Sequence, residues 1–124
     1  MSLPRPTDSE LEILAVLWQR GPSTVRDVAD VLAQQRGAGY TTVLKLMQIM
    51  AGKGFLERKE DQKAHVYTAA HPREKMQQSL LRDFIDRAFG GSSMELLQTA
   101  ISGPLTTDEE RRQLRKLIKR EKHK

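Results

Sequence analysis

The chain has no cysteine in its 124 residues. That excludes disulfide cross-links, cysteine-based zinc knuckles and metal sensing by thiolates. Long apolar runs are missing as well. No stretch of about 18 apolar residues occurs, so no helix is expected to insert in a membrane. The opening residues MSLPRPTDSE carry no apolar core of the kind a secretory signal needs. The expected compartment is therefore the cytoplasm. The signatures of catalysis are also wanting. His65, His71 and His123 show no metal-ligand spacing with one another or with carboxylates. No glycine-rich phosphate loop appears, and no serine sits in a nucleophile elbow. The expectation is a protein that is not an enzyme and uses no cofactor and no metal.

The most informative absence is of charge of one sign. The chain is 38% hydrophobic and 30% charged, which is the balance of a globular domain, and its length allows one domain or a small domain with an appendage. Its net charge is +5, which suits a polyanionic partner. The placement of that charge matters more than its sum. Residues 1–71 hold nine Lys/Arg against eight Asp/Glu, and residues 72–124 hold twelve against eight, so the basic excess lies mostly in the second part. Yet from residue 31 to residue 56 there is no acid at all, while Arg36, Lys45 and Lys53 remain. A surface that meets phosphates needs such a window, because each carboxylate there would be repelled.

The chain is punctuated clearly. Thr7-Asp8-Ser9-Glu10 is a capping box, and the helix it opens carries Leu11, Leu14, Leu17 and Trp18 on one side until Gly21-Pro22. A second helix starts at Ser23 or Thr24, buries Val25, Val28 and Leu32, and breaks at Arg36-Gly37-Ala38-Gly39. A third is expected over about residues 40–51. Val43, Leu46, Met47 and Met50 recur on one face of it, and Thr41, Lys45 and Gln48 on the other. Two short helices about a tight glycine-containing turn give a helix-turn-helix layout. After Gly54 the period changes to two. Residues 55–60 and 64–68 read as strands around the polar turn Asp61-Gln62-Lys63, which makes a hairpin, or wing, directly after the third helix.

Pro72 marks the boundary to a second region. A helix to about Phe89 carries Leu80, Leu81, Phe84, Ile85 and Phe89, and Gly90-Gly91 ends it. Ser92 to Glu95 caps a helix bearing Met94, Leu97 and Ile101. Thr106 with Glu109, or Thr107 with Glu110, caps a last one bearing Leu114, Leu117 and Ile118. About 50 residues of amphipathic helix seldom bury enough apolar surface to stand alone. The simplest partner is the same segment of a second chain. The expected fold class is mainly α with a small β-hairpin, a winged helix-turn-helix (1–71) followed by a helical dimerisation region (72–124).

These residues resemble the penicillinase-repressor (BlaI/MecI/CopY) family of bacterial transcription regulators. The resemblance is carried by Tyr40-Thr41-Thr42-Val43, Leu17-Trp18, Thr24-Val25-Arg26-Asp27-Val28, Lys53-Gly54-Phe55-Leu56 and the helix ending in Phe89-Gly90-Gly91. It implies a homodimeric winged-helix repressor on an inverted-repeat operator in double-stranded DNA, released by an inducing signal such as proteolysis. A signalling system linked to a membrane metallopeptidase is one source of that signal. Two departures follow from the sequence. The copper-responsive branch carries a cysteine cluster that this chain lacks. The place where some antibiotic-responsive members are cut at an Asn-Phe bond reads Thr99-Ala100-Ile101 here.

The expected DNA-binding residues are Tyr40, Thr41, Thr42, Lys45, Gln48 and Lys53 from the third helix, with Arg58 and Lys63 from the wing. The side chain of Gln48 has the shape to pair with adenine, and Leu44 can meet a thymine methyl. Thr41 and Thr42 can equally cap the helix, and Tyr40 can pack on the wing. The wing cations alternate with Glu57, Glu60 and Asp61, as in any charged hairpin. The expected dimer interface is Leu80, Leu81, Phe84, Ile85, Phe89, Leu97, Ile101, Leu114, Leu117 and Ile118. The alternative is a winged-helix module for protein–protein assembly without direct DNA binding.

Overall fold

A computed structural model of the chain describes residues 3–37, 39–61 and 64–122. Its elements follow one another as α1 (Asp8–Arg20), α2 (Val25–Arg36), α3 (Tyr40–Lys53), β1 (Leu56–Asp61), β2 (Ala64–Ala69), α4 (Arg73–Ala88), α5 (Ser93–Ser102) and α6 (Asp108–Lys122). The chain divides into two compact units, the first ending at Ser79 and the second beginning at Leu80, so α4 passes from one to the other.

In the first unit, local chemistry sets the helix starts. Thr7 accepts from the Glu10 N–H, and Glu10 Oε1 accepts from the Thr7 N–H at 2.8 Å. Thr24 and Asp27 form the same reciprocal pair at the head of α2. Of the two starts the sequence allows there, Thr24 is the cap, because Ser23 is committed elsewhere. Ser23 exchanges two backbone hydrogen bonds with Tyr67 of β2 and is buried. This bridge adds a one-residue third strand to the wing and ties it to the start of α2. β1 and β2 pair antiparallel from Leu56↔Ala69 to Asp61↔Ala64.

The core is assembled from one face of each helix. Ile13, Leu14 and Leu17 of α1, Val25, Val28, Ala29 and Leu32 of α2, and Val43, Met47 and Met50 of α3 are all buried. Phe55, Leu56 and Tyr67 close it from the hairpin side, and Met76 of α4 is buried in the same unit. The expected face of α3 is thus the inward one, with Leu46 only half-buried. Trp18 is half-buried, and its indole N–H donates to the His71 carbonyl at 3.1 Å.

α3 runs two residues beyond its expected end, through Gly52 and Lys53. Gly54 supplies the left-handed stop (φ 89°), and the Phe55 N–H reaches back to the Met50 carbonyl at 2.9 Å. That closure fixes where the helix ends and outweighs the roughly 1 kcal/mol that a helical glycine costs. β1 begins one residue later than expected, because Phe55 belongs to this turn and points into the core.

The second unit is built differently. Thr107 and Glu110 cap α6 reciprocally, while Ser92 only accepts from the Glu95 N–H. The Arg111 guanidinium donates to the Ile101 carbonyl at 2.9 Å and pairs with Asp108, stitching the end of α5 to the start of α6. The Phe84 and Phe89 rings meet edge to face at 5.8 Å. Ile85 is the one apolar residue that is buried among the described residues of this unit. Leu81, Phe84, Met94, Leu97, Leu105, Leu117 and Ile118 remain exposed, and Leu80, Phe89, Ile101 and Leu114 are half-buried.

Candidate nucleic-acid interface

The outward face of α3 carries Thr41, Lys45 and Gln48, all exposed. The start of this helix differs from its neighbours. α1, α2 and α6 begin with reciprocal Thr–carboxylate boxes. α3 begins at Gly39, with no side-chain cap and no acid in its first turn. Thr41 and Thr42 therefore do not cap it; they lie within the first turn. The N–H groups there have no side-chain acceptor, and the helix dipole places partial positive charge at that end. Such a terminus is suited to an anion.

Beside this face lies a groove of about 390 Å³, lined by Thr24, Val25 and Arg26 of α2, Tyr40, Leu44 and Gln48 of α3, and Arg58, Ala64, His65 and Tyr67 of the wing. Its lining includes two guanidiniums, an imidazole and two side-chain hydroxyls near the surface, and no acid. Lys45 and Arg58 have no acidic partner among the described residues.

Arg26 joins the site through a contact that the sequence pattern does not display. Its guanidinium carbon stands 4.5 Å from the centroid of the Tyr40 ring. The stack holds the Tyr40 side chain at the head of α3 and keeps a cation beside the uncapped turn. One signal was available in the sequence. Arg26 sits in the first turn of α2, where the dipole disfavours a cation, so its position calls for another explanation. His65 was likewise not expected in the site. It lines the groove and lies 3.5 Å from Glu60, its cross-strand partner in the wing.

Lys53 stands apart from this cluster. Its ammonium is 2.9 Å from Glu10 Oε2, and the Glu10 side chain is only 2% exposed. Burial pushes the Glu10 carboxyl up, but the Thr7 backbone N–H, the Lys53 ammonium and the Thr7 hydroxyl together outweigh it. The group titrates below its ordinary value. Glu10 thus closes the start of α1 and anchors the end of α3 with its two oxygens. Lys63 lies outside the described residues.

Three helices, a two-stranded wing and an exposed, acid-free third helix define the class: this is a winged helix-turn-helix. Residues 6–120 match the sequence profile of the penicillinase repressor family. The transcriptional regulator BlaI of Mycobacterium tuberculosis is 33% identical over 94 residues, covering 75% of this chain and 68% of that one. The methicillin resistance regulatory protein MecI of Mammaliicoccus sciuri is 20% identical over 112 residues, covering 90% and 91%. The chain belongs to the penicillinase repressor family, whose members are transcriptional repressors and not enzymes. The fold is shared with the solution structure of Bacillus licheniformis BlaI in complex with the blaP half-operator. That likeness has a TM-score of 0.53 at 22% identity and covers 59% of this chain and 89% of that one. Among the described residues no helix is long and apolar enough to cross a membrane.

Proposed function

We propose that the chain represses transcription as a homodimer, each copy laying α3 in the major groove of one half of an inverted-repeat operator. The observation that carries this reading is the face of α3. It is exposed, free of acid and uncapped, and it is set beside a cationic groove. Thr41, Thr42, Lys45 and Gln48 present the base- and phosphate-reading groups. Tyr40, Arg26 and Arg58 hold the flanking phosphates, and Lys63 is proposed as a further phosphate contact. Lys53 acts differently from the rest, as the anchor of the helix to Glu10.

The first unit is nearly neutral overall, so a single copy offers few cations to DNA. Two copies at a fixed spacing raise affinity by adding their contacts within one complex. The exposed apolar side chains of the second unit support its role as the segment that pairs the copies. The repressor works in the cytoplasm, where the operator is, and an inducing signal, such as proteolysis through a membrane metallopeptidase-linked system, releases it.

The test is Lys45→Glu, with duplexes selected by the full-length chain from a random library as the probe. The variant should melt like the parent and lose operator binding. A folded Lys45→Glu dimer with undiminished affinity would remove α3 from the groove. A parent chain that selects no duplex at low salt would favour a protein-assembly module instead.

A further inference from the structure

The first unit buries its apolar side chains well. Among its described residues, the two large apolar ones left exposed are Tyr40 and Ile49, and both lie on α3. Tyr40 has its Arg26 partner. Ile49 is 41% exposed and stands four positions after Lys45 and seven after Thr42, on the side of the helix that carries them. It borders Leu46 at the edge of the apolar stripe, whose centre Val43, Met47 and Met50 fill at 0–1% exposure without it. Isoleucine is also a poor choice for a solvated helix surface, where its branched side chain loses rotamer freedom without packing gain.

That stiffness suits a different use. Of the chemical groups that base edges display in the major groove, the C5-methyl of thymine is the apolar one. A side chain with a fixed χ1 presents its own methyl groups at one place. The face around it, with Lys45 and Gln48 and no carboxylate, is matched to the phosphate-flanked groove in which such a methyl is found.

We infer that Ile49 is a specificity-determining residue that packs on the C5-methyl of a thymine in each operator half-site, on the side of α3 that carries Lys45. The inference rests on the DNA-binding reading of α3 and adds a base preference to it.

The experiment scans the selected duplex by replacing each thymine with uracil, which removes the methyl and leaves every hydrogen bond in place. Affinity is measured for the full-length parent, Ile49→Ala and Ile49→Val. With the symmetry-related thymines of both half-sites replaced, the parent should lose about 15-fold, the worth of two buried methyl groups. Ile49→Ala should lose a similar amount on the thymine duplex and be indifferent to uracil there, while Ile49→Val keeps most of the parent's sensitivity. Thermal melts confirm folding, which an exposed side chain puts at little risk. If folded Ile49→Ala binds as tightly as the parent and stays equally sensitive to uracil, the assignment is overturned. It is also overturned, with the DNA-binding reading intact, if the parent binds its duplex and no uracil matters. If the parent selects no duplex, both fall together.

Discussion

The two units have similar helical patterning and opposite outcomes. In the first, the apolar faces of α1, α2 and α3 meet one another and the hairpin, and the core from Ile13 to Met76 is closed. In the second, α5 has no buried residue, and of the expected interface only Ile85, at 8% exposure, is enclosed within the chain. Ile85 is thereby covered within the chain. The comparison teaches that an amphipathic helix announces that something will cover it, without saying what. In the first unit the cover is intramolecular. In the second it is still wanting, and a second chain is the proposed source.

The largest effect should come from breaking the unit that lacks a cover. Phe84→Glu places a charge on the exposed apolar face and should dissociate the proposed dimer, lowering affinity for the two-fold duplex by about 100-fold through lost effective concentration. Light scattering reports the mass, and the melting of the first unit should be unchanged. A Phe84→Glu protein that stays dimeric would move the pairing surface elsewhere.

Next in size is the Glu10–Lys53 anchor, in the unit that is already closed. Glu10→Ala removes half of a capping box and a buried acceptor, and should cost about 1–2 kcal/mol in denaturant unfolding. The pH dependence follows the same carboxyls. Glu10, Asp27 and Glu110 all titrate below their ordinary values in the fold. For Glu10 the favourable contacts outweigh burial; for Asp27 the leading cause is the Thr24 backbone N–H, and for Glu110 that of Thr107. Each binds its proton less readily folded than unfolded, so its contribution is complete above the ordinary carboxylate value, near 4.5 for glutamate, and drains away as pH falls through the depressed one. Glu10→Gln should flatten that acid limb of the stability curve. An acid limb identical to the parent's would show that Glu10 does not contribute to it.

Arg26→Ala should be milder, because it removes one cation and the stack on Tyr40 and leaves the core intact. Affinity should fall across all sequences alike, with the salt slope reduced by about one. An unchanged slope would make Arg26 a support for Tyr40 without a phosphate of its own.

The smallest effect is Gly52→Ala. This glycine is helical and exposed, and a Cβ there meets nothing within 4 Å. The substitution should stabilise the first unit by about 0.5–1 kcal/mol. A destabilised variant would mean that the end of α3 is held less firmly than Gly54 and Lys53 suggest.

What the sequence made legible was what depends on neighbours in sequence. The Thr7 and Thr24 starts, the inward face of α3 and the hairpin after Gly54 all come from residues within a few positions of one another. The length of α3 was underestimated because Gly52 reads locally as a stop, and the closing hydrogen bonds at Gly54 and Phe55 decide otherwise. What escaped depends on pairs far apart in the chain. Ser23 finds Tyr67, Lys53 finds Glu10 and Arg26 finds Tyr40, and no local pattern names the partner in any of these pairs. The acid-free window coincides with the exposed face of α3, but it gives no sign of the Lys53–Glu10 pair, whose partners lie 43 positions apart.

The division of labour between the two units is tested most directly by sedimentation equilibrium of the full-length 14.1 kDa chain, alone and with its selected duplex. A mass of two chains is expected in both cases, with two chains on each duplex. A single chain in solution that binds single half-sites independently, with no gain from the second, would contradict it.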